Sequence, residues 1–438
     1  MMNYDSLYQQ KLTTPDNAVA TIPSTSTISM GMRVATPPAL LTALEKRVRA
    51  EDIRKLKVYY MRCGNIATQT IFQEDLLDRV RPFSSMLTKD EVKLAKKGFA
   101  KGKKYINYVP ISFSRYPEII KKQVTLDAFL VTVAPMDKYG YLNFGTSGDY
   151  AIELSRHADR LIVEVNKYMP RTSGGTLLHI SEVDSIVENH TALIEEPQRE
   201  TSELDRKISD YIIPLVSDGS TIQMGIGGVP NAVCEQLANK KNLGIHTEVI
   251  TSGMVDLIKS GAVNNSKKTL NPHVNVFTFA IGDRALYDYI DENPSMFCLP
   301  VSYVNEPQTI AQIDNMISVN SFIEIDFNGQ VNAEFIDHQF SGVGGQLDFI
   351  RGVYYSKNGK TILASSSTAQ NGKISRIVPR LKTITTDSRL DVDYIVTEYG
   401  CCQLMGKSTT ERTHALIDIA HPNFREDLLK QAKAHHFI

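Results

Sequence analysis

Apolar positions along the chain fall into short runs of β-branched and aromatic residues, separated by stretches in which they recur every three or four places. Runs of the first kind bury strands, and stretches of the second kind bury one face of a helix. Their alternation therefore predicts βαβ units. In the first half the runs predict strands at Lys57–Met61, Ala128–Ala134 and Leu161–Val165. In the second half they predict strands at Thr221–Met224, Val274–Ile281, Met316–Asp326, Thr361–Ala364 and Tyr394–Thr397, with helical stretches such as Asn231–Lys240 and Thr410–Ala420. The expected fold class is α/β, with mostly parallel sheets covered by helices. The linker-like EEPQRETS over Glu195–Ser202 sets the expected division, one domain over residues 1–200 and a second over 201–438.

One phrase occurs twice. Ser26–Met32 reads STISMGM, and Ser220–Ile226 reads STIQMGI. A second pair, GYLN at Gly140–Asn143 and GQVN at Gly329–Asn332, keeps the order and nearly the separation, each after an apolar run and a polar turn. Matches in the same order predict two homologous open α/β halves, with a ligand site expected at their interface. The sequences then diverge. The second copy runs into GIGGVP (Gly225–Pro230), the first into GMRVATPP (Gly31–Pro38), where Arg33 stands in place of the loop glycines.

Composition narrows the function classes. The chain of 438 residues has a net charge of −1, which offers no electrostatic footprint for nucleic acid or an anionic membrane. No apolar run approaches the roughly 18 residues that span a bilayer. The start of the chain lacks the basic-then-apolar layout of a signal peptide. Cys63, Cys234, Cys298, Cys401 and Cys402 are few, odd in number and outside CxxC spacing. They point to a reducing cytoplasm and away from a disulfide framework or zinc ribbon. Cys401 and Cys402 read as two small buried side chains, and the scattered histidines suggest no metal.

In the second copy, glycines let backbone N–H groups approach a ligand, and Pro230 suits a first helical turn. A helix N-terminus there favours an anion or a developing oxyanion. A tight structural turn is the competing reading. A nicotinamide or flavin site is disfavoured, because the third glycine of GxGxxG and a following acidic residue are missing. Downstream, LGIHTEV (Leu243–Val249) puts Glu248 near the carboxyl end of a strand, where open α/β sheets bind ligands. Glu248 reads either as a turn or helix-start glutamate or as a carboxylate nucleophile beside a glycine-rich oxyanion site. His246 shares its face of the strand. It reads as a structural histidine ahead of a group that orients Glu248.

At this point the chain resembles a known family. GIGGVPNAV (Gly225–Val233), LGIHTEV, FSGVGGQLDFIRG (Phe340–Gly352), GKISRIVP (Gly372–Pro379) and DVDYIVTEYG, LMGKS and IAHPNFR within Asp391–Arg425 are similar to the acetyl-CoA hydrolase/transferase family. The likeness is strongest to its 4-hydroxybutyrate CoA-transferase type and covers nearly the whole chain. It implies two similar open α/β domains with the site between them, the first on the acid-substrate side and the second carrying the nucleophile. It implies Glu248 as that nucleophile, with Gly227 and Gly228 contacting the thioester oxygen. It further implies Gly225, Ile226, Gly227, Gly228, Val229, Gly344, Gly345 and Gln346 as CoA-binding positions, with Gly344–Phe349 lining the channel. The implied reaction is ping-pong transfer of CoA between an acyl-CoA and a short carboxylate (4-hydroxybutyrate, butyrate, acetate, or a dicarboxylate such as itaconate or succinate) through a glutamyl-CoA thioester. The alternatives are a thioesterase using the same glutamate and a non-catalytic CoA- or nucleotide-binding regulator. CoA is the expected substrate and covalent partner, and a cytoplasmic homodimer or homotetramer is the expected setting.

Lys373 and Arg376, with Arg380 and Lys382, are the phosphate candidates, although Gln370 stands where the family often carries lysine. The lysines from Lys89 to Lys104 read as a solvated helix face. Glu324, Asp326 and Glu398 are rival carboxylates near strand ends. Arg33 reads either as half of a buried ion pair or as the contact for an acid substrate's carboxylate.

Overall fold

The structure, a computed structural model, describes residues 4–438. Its chain forms two compact units, one reaching to Glu196 and taking in Phe277–Tyr303, the other made of Pro197–Val276 and Val304–Ile438. The division near Glu196 falls inside the EEPQRETS stretch, whereas Phe277–Tyr303, placed by sequence in the second domain, groups with the first unit.

The first unit holds a wholly parallel sheet of seven strands. In spatial order they are Ser185–Glu188, Leu161–Val165, Ala128–Val133, Thr25–Met30, Lys55–Tyr60, Val80–Ser84 and Asn107–Tyr108. Ala128–Val133 is buried at every position, as a central parallel strand covered on both faces should be. Ile28, Met30 and Val58 from the sheet meet Leu40, Leu41 and Leu44 of the helix Pro38–Arg49 in one apolar cluster.

The second unit repeats the plan. Its strands run in the order Gly400–Gln403, Tyr394–Thr397, Lys360–Ala364, Met316–Asn320, Thr221–Met224 and Gly244–Ile250, with antiparallel pairing confined to the Gly400–Gln403 edge. Cys401 and Cys402 lie on that edge and are half-buried rather than buried, a consequence of having one side of the strand unpaired.

The doubled phrase is the central strand of each unit. Thr25–Met30 pairs with Lys55–Tyr60 on one side and, after the chain crosses back, with Ala128–Val133 on the other. Thr221–Met224 likewise pairs with Gly244–Ile250 and then with Met316–Asn320. Such a reversal opens a crevice at the carboxyl ends of the two diverging connections. The equivalence extends to single hydrogen bonds. Gly31 donates its amide to the Leu130 carbonyl and Gly225 to the Val319 carbonyl, each at 2.8 Å. Asp137 Oδ1 accepts from the amides of Tyr139 and Tyr141 at 2.9 Å, and Asp326 Oδ1 from those of Asn328 and Gln330 at 3.0 Å. Both turns then need a positive φ, supplied by Gly140 (83°) and Gly329 (93°).

Some predicted elements change shape. Met316–Asp326 is two strands, Met316–Asn320 and Glu324–Asp326, and the second joins a separate small sheet with Val331–Asn332 and Ile377–Val378. The predicted helix Asn231–Lys240 starts earlier, as Gly228–Leu237. No helix among the described residues is long and apolar enough to cross a membrane.

Candidate functional site

Glu248 projects from the strand Gly244–Ile250 of the second unit and is the one residue of that strand not fully buried. Its Oε2 accepts a hydrogen bond from Asn305 Nδ2 at 2.7 Å. Asn305 is itself fully buried. Gly345, in the loop before the helix Gln346–Tyr355, presses on both groups. A Cβ at Gly345 would stand 2.0 Å from Glu248 Oε2 and 1.9 Å from Asn305 Nδ2, so only glycine fits. The family-like GGQ segment and the predicted nucleophile, far apart in sequence, therefore meet.

His246 is fully buried and its Nε2 lies 2.8 Å from the Val304 carbonyl. Burial, aided by the Lys268 cation, pulls its pKa down to about 3, so the ring is neutral. Facing a carbonyl, which only accepts, Nε2 carries the proton. Lys268, unlike His246, is unexpected from sequence. Its Nζ donates to the Ile245 and Val274 carbonyls at 2.8 Å each, and burial lowers its pKa to about 7.

The glycine loop follows the neighbouring strand. Counting on three residues from the Ile222–Ile245 pair reaches Gly225 on one strand and Glu248 on the other. Gly225 is partly exposed, Ile226 exposed and Gly227 partly exposed, while Gly228 and Val229 are buried. Gly227 adopts φ 141° as the residue before the helix Gly228–Leu237, and a Cβ there would meet nothing nearer than Pro230 Cδ at 3.9 Å. Gly228, by contrast, is pressed by the Asp205 carboxylate, 2.4 Å from where its Cβ would sit. The helix start thus already faces one carboxylate on its Gly228 side.

Of the other CoA-binding candidates, Gln346 donates from Nε2 to Asp387 Oδ2 at 2.6 Å. Burial raises the Asp387 pKa to about 7. Lys373 is exposed in the turn between Thr368–Ala369 and Ile374–Ser375. Arg376 is engaged within its own fold, donating from Nη1 to the Ile323 carbonyl at 2.7 Å and from Nε to the Thr368 carbonyl at 3.3 Å. Arg380 and Lys382 are exposed. The rival carboxylates have structural partners. Glu324 accepts from Asn332 and Thr383, Asp326 closes its turn, and Glu398 accepts from the Ser367 amide and hydroxyl at 2.8 and 2.7 Å. The lysines of the helix Lys89–Phe99 lie on its exposed face.

Arg33 belongs to the first unit. It has a positive φ of 45°, its side chain is 14% exposed, and its guanidinium is ion-paired with Glu196.

Sequence reasoning missed Asn305 and Lys268. Neither sits in a recognisable string, and both reach the site only through the fold. A cleft of about 370 Å³ lined by Ser220, Asn315, Lys360 and Tyr394 lies at the amino ends of the same strands, the opposite end from Glu248. Among the described residues no group of three or more His, Cys, Asp or Glu side chains is placed to hold a metal ion.

Comparisons with known proteins agree along the whole chain. Residues 1–195 match the acetyl-CoA hydrolase/transferase N-terminal domain, and residues 282–432 match the corresponding C-terminal domain. The 4-hydroxybutyrate coenzyme A transferase of Clostridium kluyveri is 40% identical over 99% of both chains. The crystal structure of RipA from Yersinia pestis superposes with a TM-score of 0.97 at 47% identity, covering 100% of both chains. That of 4-hydroxybutyrate CoA-transferase from Porphyromonas gingivalis gives 0.80 at 33% identity, covering 99% of this chain and 100% of its own.

Proposed function

The chain belongs to the acetyl-CoA hydrolase/transferase family, and from that premise we propose that it transfers CoA between an acyl-CoA and a short-chain carboxylate, with Glu248 as nucleophile. The observation that carries the reading is the meeting of a half-exposed strand-end carboxylate, the Asn305 amide that donates to it, and a glycine that admits no side chain beside them. A carboxylate held by the Asn305 amide at a strand end is the group type that attacks an acyl carbonyl.

In the first half-reaction Glu248 attacks the thioester carbonyl of the acyl-CoA. The oxyanion that forms is held by backbone N–H groups of the Gly227–Gly228 region. Collapse breaks the carbon–sulfur bond, giving an acyl-glutamyl anhydride and a CoA thiolate. The thiolate attacks the Glu248 carboxyl carbon and releases the first acid as its carboxylate, leaving a glutamyl-CoA thioester. The second carboxylate attacks that thioester, expelling thiolate and forming a new anhydride. Thiolate attack on the acyl carbonyl then yields the new acyl-CoA and restores Glu248. Every bond formed is matched by one broken, and no net proton is exchanged.

The acids proposed are those named for the relatives and their like, with 4-hydroxybutyrate first and butyrate, acetate and small dicarboxylates beside it. Arg33 is paired with Glu196, as the ion-pair reading has it, and a contact to an acid carboxylate is proposed as an exchange of that partner. Gly225–Val229, Gly344–Gln346 and Lys373 are the proposed CoA contacts. Arg376 supports the loop that carries Lys373 through its carbonyl bonds. The test is turnover of butyryl-CoA with and without acetate. Release of CoA that needs acetate and appears as acetyl-CoA supports the transferase, whereas equal release of free CoA in water alone makes it a thioesterase.

A further inference from the structure

The contacts around Glu248 continue one step beyond Asn305. His246 and Glu248 are two residues apart on one face of the strand Gly244–Ile250, and each grips one of two consecutive residues. His246 donates to the Val304 carbonyl, and Glu248 accepts from the Asn305 side chain. The carbonyl of Val304 belongs to the peptide plane that ends at the Asn305 α-carbon, so holding that oxygen fixes the plane from which the Asn305 side chain departs. We infer that His246 is a positioning residue for the reaction, setting through the Val304 carbonyl the angle at which the Asn305 amide meets the Glu248 carboxylate.

Three further observations converge on this role. Asn305 Oδ1 accepts no hydrogen bond from the described residues, so the amide is oriented by its backbone and by Glu248 rather than by a second side-chain bond. Phe349, on the helix that follows the GGQ segment, packs its ring against His246 with centroids 6.4 Å apart and planes at 62°. Lys268 ties down the carbonyl of Ile245, the residue immediately before His246. The imidazole is thereby braced from the strand, from the helix and from the segment it holds. Its Nδ1 finds no partner among the described residues, so a single donor at Nε2 is the working part. A ring held neutral keeps that donor unchanged across the working pH range.

This inference rests on Glu248 being the nucleophile, and the test separates the two. Glutamine reproduces the reach of Nε2, whereas asparagine reproduces only that of Nδ1. His246→Gln should therefore keep kcat within about threefold of wild type, whereas His246→Asn should lose about 10²-fold with the KM for acyl-CoA little changed, the cost of a misplaced reacting group. Asn305→Ala should lose a comparable factor, and adding His246→Asn to it should cost nothing more, because both act through one contact. The acidic limb of the pH profile should be the same in His246→Gln and wild type. Each variant is followed by circular dichroism and assayed below its unfolding transition, with His246→Leu replacing His246→Asn if the latter does not fold. Asparagine and glutamine variants of equal kcat, or losses that multiply in the double variant, would overturn the inference while leaving Glu248 in place. A wild-type chain that takes up no CoA from acyl-CoA would overturn the parent reading, and this one with it.

Discussion

After Met30 in one unit and Met224 in the other, the chain takes the same first step, a glycine whose amide bonds the strand on the far side of the switch point. Two residues later both backbones have positive φ, 45° at Arg33 and 141° at Gly227. Both copies thus take a positive φ there, in different regions of backbone space (Gly227 has ψ −177°), and the units meet it differently. Glycine adopts it without steric cost and leaves open space beside its α-carbon. Arginine adopts it at a cost of about 1–3 kcal/mol, a strain that persists only where the surroundings impose it. Those surroundings are the Arg33 amide bonded to the Arg62 carbonyl at 2.9 Å and the guanidinium paired with Glu196. The following helices are also treated alike, since each is met near its start by a carboxylate from elsewhere in its unit. Glu164 accepts from the Ala39 and Leu40 amides at 2.9 and 3.1 Å, and Asp205 rests against Gly228. One frame, used twice, carries a backbone-lined loop in one copy and a charged side chain in the other.

The sharpest way to break this contrast is to remove the proposed nucleophile of the second unit. Glu248→Gln keeps shape and loses the attacking oxygen, so transfer should fall by at least ~10³-fold in a steady-state assay. Slow recovery on storage should follow deamidation, as the carboxylate is restored. Next comes Gly345→Ala, whose methyl would displace Glu248 or Asn305. It should cost about 10²-fold in kcat, and the crowding should lower the melting temperature as well. Arg33→Ala tests the other copy. If the guanidinium meets an acid carboxylate, the KM for acids should rise about tenfold, a charge-assisted hydrogen bond's worth, and most for dicarboxylic acids. Equal losses for all acids would remove the distal-carboxylate role.

The smallest effect concerns the cap in the first unit. Burial raises the Glu164 pKa to about 7, well above its value in an unfolded chain. Below about pH 4 both states hold the proton. Between there and pH 7 only the folded state holds it, so this group takes stability away as pH rises, by at most about 1.4 kcal/mol per pH unit. Glu164→Gln should accordingly flatten the fall in melting temperature between pH 5 and 8.

Where the pattern of apolar residues is local, the fold was legible. Leu161–Val165, Thr221–Met224 and Tyr394–Thr397 are strands with the predicted bounds, and the repeated phrases identify both central strands. Val80–Ser84 escaped because Pro82 sits inside it and removes a ladder donor. Met316–Asp326 looked continuous because its break, Ser321–Ile323, is mostly apolar. The meeting of the Glu248 string with the GGQ segment agrees with the resemblance, whereas two other neighbours had no signal. Asn305 and Lys268 lie in unremarkable sequence, and the carbonyls that occupy Arg376 and His246 have no side-chain signature at all. Backbone acceptors become partners only when the chain is folded.

The central claim is that Glu248 becomes covalently joined to CoA. The most direct measurement is the intact mass of the protein after brief incubation with acyl-CoA and no acceptor acid. The account predicts a species heavier by glutamyl-linked CoA in the wild-type chain and its absence in Glu248→Ala. An unmodified wild-type chain under conditions of measurable binding, or an adduct that survives Glu248→Ala, would contradict it.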